Sequence, residues 1–580
     1  MRLRILLPVL AALCSLPLAA QDAPASTPVF HTGAQAVVVD VVVTNGASEP
    51  IPALAQKDFQ ILEDGKPQAI DFFEEHTLSS APAGLAPQLP PHVFTNRPSA
   101  SVATAVNVLL LDSLNTPGPD QALVRRQTLD FLQHLQPGVR VAVFALNSRL
   151  RLLQGFTADT SLLQSVLAAK NQASVPGTTS VSRSSEDDLS DREEIANFAS
   201  MLADADGGSL LTTNIAAHSL NEFSNYQLVQ RTKITLEALK QLSRYLAGVP
   251  GRKNLLWFAS SFPVAISPAG QDKQILLPGG QLWKQVREAS SLLTMARVAV
   301  YPIAAQGIQA DHSLDAESAA SEGSDPALTG PAEAAARASN TAAMEQLAAD
   351  TGGRAFYTSN NLSQQVRQAV DNGAHYYTLV YAPANTRMDG AFRRIEVKLI
   401  TGHYKLAFRR GYYAADSSSQ AATPAPAAES LASLLARGLP PSTQVVYQVR
   451  IGAAVPQPGP GAPAAGGNSK LAPPLTRYKV DFAIPAEGVT LDPAADGSRV
   501  GKIQVAVVAF DRGGKALNWT GSTLGLNLPA ASYAQVQRSG IPAHLLLDLP
   551  PTAVSLATGV SDLTAAKSGS LEIPVPAPAP

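Results

Sequence analysis

Apolar residues along the chain follow two rhythms. From Val37, "VVVDVVVTN" is a β-branched run that ends at Asn45-Gly46, a turn pair. "DFQILEDGKPQAIDFF" follows, with Asp64-Gly65 between two apolar runs. Both turn positions favour positive φ in such a pair, which makes it a strong hairpin signal. These segments predict a small β domain over residues 29–76. A proline-rich linker, residues 77–103, comes next and contains "SSAPAGLAPQLPPH".

The rhythm then changes. "VNVLLL" is an unbroken apolar run, as expected of a parallel strand covered on both faces. In "DQALVRRQTLDFLQHL", Val124, Thr128, Phe131, Leu132 and Leu135 share one helical face, and Pro137-Gly138 ends the helix. "VRVAVFAL", "NLLWFAS" and "RVAVYPIAA" repeat the strand pattern. Between them, Leu228, Thr232, Thr235, Leu239, Leu242 and Leu246 keep a three-four spacing that stops at Gly248. "AAMEQLAADTGG" predicts a helix with a glycine stop, and "RAFYT" a short strand.

This alternation predicts an α/β fold with a doubly wound, mostly parallel sheet, Rossmann-type in its winding, over residues 104–414. Polar insertions are expected at 175–215 and 306–340, both poor core material. "HYYTLVYAP", "FRRIEVKLI" and "YKLAFRRGYY" add β strands at the end of this domain. A linker over 415–442 precedes a β-sandwich-like domain over 443–580. The expected architecture is thus a central α/β domain flanked by N- and C-terminal β-rich domains.

The ends and the composition restrict function. Arg2 and Arg4, then "ILLPVLAALCSLPLA", then "LAA", read as a signal peptide over residues 1–20. The chain is therefore expected to be exported, to the periplasm, the outer surface or the medium. No later stretch approaches ~20 unbroken apolar residues, so no membrane span is expected in the mature chain. The one cysteine, Cys14, lies inside the leader. The mature chain then has no thiol for a disulfide, a nucleophile or a thiolate metal site. The formal net charge is −2 over 580 residues, too small to argue for nucleic acid as a partner. "RRGYY" is read as a strand end with snorkelling arginines. The acidic run "EDDLSDREE" lacks the spacing of a calcium loop. The nine histidines make no zinc-protease pair, and no G-x-S-x-G elbow or phosphate-binding glycine loop occurs. No catalytic residue is assigned.

Candidate chemistry gathers where the apolar strands end. After the first come Asp112, Ser113, Leu114, Asn115 and Thr116; after "NLLWFA" come Ser260 and Ser261. Ligands of parallel sheets sit beyond such ends. An Asp in that place also caps the backbone donors of its own loop, and both readings of Asp112 stay open.

The "DSLNT" junction, "RVAVFALNSRLRLLQGFTADTSLLQSVLAA", "GRKNLLWFASSFP" and "RVAVYPIAAQGI" resemble a von Willebrand factor A domain. The flanking β segments are similar to those of the acidobacterial VWFA-related family of exported proteins, and the likeness spans roughly residues 37–414. The resemblance implies a metal-ion-dependent adhesion site for Mg²⁺, with Asp-x-Ser-x-Ser, a loop Thr and a later Asp. Here Asp112 takes the Asp place, Thr116 the second Ser and Thr178 the loop Thr. Leu114 stands where the first Ser would be, and only Ser260 and Ser261 stand where the later Asp belongs. Two of five ligands are lost, which implies a degenerate site and no firm cofactor. The expected function is non-enzymatic binding or adhesion to a protein or surface polymer, through Asp112, Asn115, Ser260 and Ser261. The alternatives are a structural envelope protein without a ligand site, or a hydrolase with an unrecognised site.

Overall fold

The computed structural model describes residues 36–46, 49–77, 89–98, 105–116, 118–135, 138–168, 210–260, 281–304, 341–356, 362–387, 389–414, 431–453, 459 and 464–576. The expected signal peptide, both polar insertions up to residue 209 and over 306–340, Thr178 and Ser261 lie outside the described residues.

The N-terminal strands are β1 (Val37–Thr44), β2 (Phe59–Glu63), β3 (Lys66–Gln68) and β4 (Phe72–His76). β5 (Val93–Thr95) follows, in the segment expected to be a linker. The central part holds β6 (Val106–Asp112), α1 (Gly118–Gln133), β7 (Val141–Leu146), β8 (Leu150–Thr157) and α2 (Thr160–Ala168). It continues with α3 (Leu210–Ala247), β9 (Lys253–Ala259), α4 (Gln281–Met295), β10 (Val298–Ala304), α5 (residues 341–351) and α6 (Leu362–Ala374). Four strands then return to the N-terminal module: β11 (Tyr376–Tyr381), β12 (Phe392–Leu399), β13 (Lys405–Ala407) and β14 (Gly411–Tyr413).

The central sheet has the order β10-β9-β6-β7-β8. β10, β9, β6 and β7 are parallel, and β8 runs antiparallel at the edge. Alternate residues of these strands feed two cores. One packs Val108, Leu110, Leu255 and Trp257 against α3, α4 and α5. The other packs Leu109, Val143, Leu256 and Phe258 against α1, α2 and α6. Such burial on both faces is why these strands read as unbroken apolar runs.

The expectation of a doubly wound, mostly parallel α/β fold is corrected by the rest of the molecule. Of five sheets, four are antiparallel and the central one is mixed, so the chain is β-rich as a whole. The N-terminal strands do not form a unit by themselves. β1 pairs with β11 and β13, and β2 with β12 and β3, giving the orders β13-β1-β11-β4 and β14-β12-β2-β3. Val39, Val41, Ile61, Leu379 and Tyr381 fill the core between them.

The C-terminal part begins with α7 (Leu431–Leu434), β15 (Gln448–Ala453), β16 (Thr476–Ile484), β17 (Asp492–Pro493), β18 (Arg499–Asp511) and β19 (Ala516–Leu528). It ends with α8 (Ala530–Ser539), β20 (Ile541–Leu549), β21 (Ala553–Asp562) and β22 (Lys567–Pro574). One sheet runs β20-β16-β15-β5, and the other β17-β18-β21-β22 with β19 on β18. Val449, Val480, Val505, Val507, Leu547 and Val560 meet between them. β5 is the edge strand of this sandwich, because Asn96 beside it anchors the chain. Its amide donates to the carbonyls of Ser442 (2.7 Å) and Val445 (2.9 Å) and accepts from the Tyr447 N–H.

Candidate functional site

The carboxyl ends of β6 and β9 lie side by side, with Leu110 in register with Trp257. Asp112 is two residues beyond Leu110, so its side chain projects from the same face. There the Trp257 indole N–H donates to Asp112 Oδ2 (2.9 Å). The chain then turns back on the same carboxylate. The Asn115 backbone N–H donates to Oδ1 (3.0 Å) and its amide to Oδ2 (2.8 Å). The Asn115 amide also donates to Thr235 Oγ1 on α3 (3.1 Å). Across the rim, the Ser260 N–H donates to the Asn115 carbonyl and to Thr116 Oγ1, and the Ser260 hydroxyl donates to Asp120 (3.0 Å).

Asp112, Asn115, Thr116 and Ser260 are therefore brought together, as the sequence suggested, but all four are buried. They hold two strand ends and a helix start in one arrangement and present little surface of their own. Burial pushes the Asp112 carboxyl up to about 6, against the opposing pull of the Asn115 and Trp257 hydrogen bonds.

A hard cation needs several oxygens that are free to turn toward it. Both Asp112 oxygens already accept from the loop and the indole. Thr116 Oγ1 accepts from Ser260, and Leu114 is 7% exposed in the apolar core. Among the described residues, no three His, Cys, Asp or Glu side chains are grouped to hold a metal ion. This donor set does not fit Mg²⁺. The residues carry capping, the other reading of Asp112. Leu114→Ser, which restores the missing oxygen, should lower stability by about 2–3 kcal/mol through lost burial. Mg²⁺ should leave its thermal midpoint where it was. A rise of several degrees with Mg²⁺ would contradict the capping reading.

A second polar cluster sits at the opposite end of the same strands. Asp40 on β1 accepts from the Arg297 Nε–H (2.9 Å), from a second Arg297 N–H and from the Thr378 hydroxyl (2.9 Å). Burial would raise the Asp40 carboxyl, but the charge and hydrogen bonds of Arg297 outweigh it and hold it below the usual range. Arg252 donates to the Gly352 carbonyl (2.6 Å) and to Tyr301 Oη (3.3 Å). Burial, then repulsion from Arg297, pushes Lys253 down to about 7, with Asp40 opposing. His76 stacks on Tyr376 at 4.3 Å, and burial lowers its pKa.

Sequence reasoning missed this cluster. Its signal was the "RK" pair at the start of a strand that is otherwise nearly all apolar, together with "R" before "VAVYP". The parallel register sets Lys253 beside Val298 and so brings Arg252 and Lys253 to Arg297.

No helix among the described residues is long and apolar enough to cross a membrane. No family model matches the chain, and no curated protein matches it. Among solved structures, a mutant of the PilB minor pilin from Streptococcus sanguinis is similar at a TM-score of 0.24 and 9% identity, over 47% of this chain and 61% of the pilin. The human COPII-coat protein Sec24c gives 0.19 at 11% identity, over 59% of this chain and 48% of the coat protein. The chain spans less than two thirds of either. At these TM-scores neither likeness carries an argument about fold or function.

Proposed function

We propose that the chain is an exported, non-enzymatic binding protein of the VWFA-related kind, which recognises a protein or surface polymer at the rim where β6, β7, β9 and β10 end. One observation carries this reading: the rim is pre-organised. The Asp112 network ties the β6 loop to α3 and β9 through buried hydrogen bonds, and a half-buried one from Ser260 to Asp120 adds the start of α1. Fixing loops before a partner arrives lowers the ordering cost of association. The polar groups of that network are used on one another. The groups left for a partner are half-buried neighbours on the same rim: Ser113 after β6, and Asn147 and Ser148 after β7.

A purely structural envelope role is the second reading, favoured by how tightly distant segments are fastened. Thr443 Oγ1 donates to the carbonyls of Tyr245 (2.8 Å) and Arg244, and accepts the Gly248 N–H (2.7 Å).

Co-sedimentation of the mature chain with envelope fractions of the producing cell separates the two readings. Ser148→Arg places a long cation on the rim and should abolish sedimentation while leaving the unfolding midpoint unchanged. Equal sedimentation of wild type and variant would end the rim-binding reading.

A further inference from the structure

We propose that the seam where the β-module covers the starts of β9 and β10 is a halide site, binding an ion such as chloride among Arg252, Lys253 and Arg409. Positive charge there exceeds negative. Four cations, Arg252, Lys253, Arg297 and Arg409, act on one carboxylate, Asp40. Of the four, Arg297 alone is hydrogen-bonded to it, and with Thr378 it occupies both carboxylate oxygens. The neighbouring carboxylates are engaged elsewhere. Glu63 accepts from the Tyr381 and Tyr412 hydroxyls, and Glu74 is exposed beside His76.

The backbone explains why the cations converge. Lys253 opens β9 in register with Val298 of β10, which brings Arg297 beside it. On the module side, Asp40 of β1 stands opposite Thr378 of β11. Arg252 donates to the Gly352 carbonyl (2.6 Å). Gly352 has φ +80°, and a Cβ there would stand 2.8 Å from the Arg409 nitrogen. Only a glycine admits that approach, so Arg252 and Arg409 meet at one turn from opposite modules.

The donors are built in but not used up. Arg252 is 2% exposed and Lys253 3%. Buried polar groups are nearly always paired, with protein or with an ordered solvent species. Here the Arg252 Nε–H and the Arg409 Nε–H are buried and meet no acceptor. The Arg252 N–H groups that do bond reach neutral oxygens, those of Gly352 and Tyr301. The Lys253 ammonium reaches Asp40 and Arg297 through charge and makes no hydrogen bond among the described residues. A buried cation without a counter-charge is strongly destabilising. These donors come from the central sheet and from the module, so they point from different sides. A spherical ion accepts from every direction, whereas a carboxylate or phosphate prefers the parallel fork of one guanidinium. The seam lies at the opposite end of the strands from the Asp112 rim and would bind the ion whether or not that rim recognises a partner.

The test is thermal unfolding of the full mature chain at constant ionic strength, with sodium fluoride replaced stepwise by sodium chloride. Constant ionic strength removes charge screening from the comparison. Fluoride, the more strongly hydrated ion, gives the larger general salt effect, so a preference for chloride runs against it. Chloride should raise the midpoint by a few degrees and then saturate, because it binds the folded state alone. Lys253→Met removes one buried charge and keeps the apolar stem, so it should fold. It should raise the chloride concentration needed for half of the rise about tenfold, the equivalent of one lost charge contact. Arg409→Gln is the second variant and should act in the same direction. The chloride NMR line should also be broadened by the folded wild-type chain and sharpened again by added bromide. A midpoint equal in the two salts, a rise that never saturates, or a rise that both variants leave unchanged overturns the proposal. So does a chloride line that the wild-type chain leaves narrow.

Discussion

Arg297→Ala should lower the stability of the chain by about 3–5 kcal/mol, the cost of leaving a buried carboxylate without its partner. Asp40 is only 8% exposed, and Arg297 gives it two hydrogen bonds and a full opposite charge. Arg297 itself has φ 55°, a left-handed conformation that disfavours side chains. The fold keeps an arginine there because the turn between α4 and β10 must reach across to β1. Arg252 and Lys253 stay close enough to act on Asp40 through charge. With Arg297 gone, Lys253 loses a repelling neighbour and holds its proton more firmly. That compensation keeps the loss toward the lower end of the range. Urea unfolding measures the effect. Adding Asp40→Asn to Arg297→Ala should recover part of the loss, because the uncompensated charge is then absent. A single variant within about 1 kcal/mol of wild type would show that the pair does not fasten the β-module to the central sheet.

The four parallel strands of the central sheet and the helices α1, α3 and α5 were legible in the sequence because a buried parallel strand and an amphipathic helix write different periods, whereas β8, α2, α4 and α6 were not read. Which strands pair was not legible. Asp40 and Thr378 meet across 338 positions, and nothing in "VVVDVVVT" or "YYTLVY" names the other. The same limit made residues 29–76 look like a domain and residues 77–103 a linker, although β5 completes the distant sandwich. At the rim, the sequence placed Asp112, Asn115, Thr116 and Ser260 together but left capping and ligand binding open. What decides is Trp257, read only as one more apolar residue of "NLLWFA". Its indole N–H is visible as a partner for Asp112 only once the register of β6 on β9 is known. The cation cluster stayed hidden for a similar reason: charged residues at a strand start are usually solvated, and here a second module covers them.

Asp112 carries the other large expectation, and its sign is opposite to that of an ion-paired carboxylate such as Asp40. Its folded-state pKa lies near 6, against 3.8 as the ordinary value. Between those two values the folded chain holds a proton that the unfolded chain has released. Acidification from pH 7 to about pH 4 should therefore add stability through this group, about 3 kcal/mol at roughly 1.4 kcal/mol per unit. Asp40 works the other way. Its folded pKa is depressed, so its contribution is present above the unfolded value and is lost as pH falls through the folded one. The raw profile of the wild-type chain mixes the two. Subtracting the profile of Asp112→Asn isolates the rim, since the variant keeps the shape of the side chain and every other titrating group. The difference should rise as pH drops from 6 to 4 and be flat above 7. A flat difference throughout would mean that the Asp112 carboxylate is as well solvated in the fold as out of it. The rim would then be open to water, and the tight network of Asn115, Trp257 and Ser260 would not describe the protein in solution.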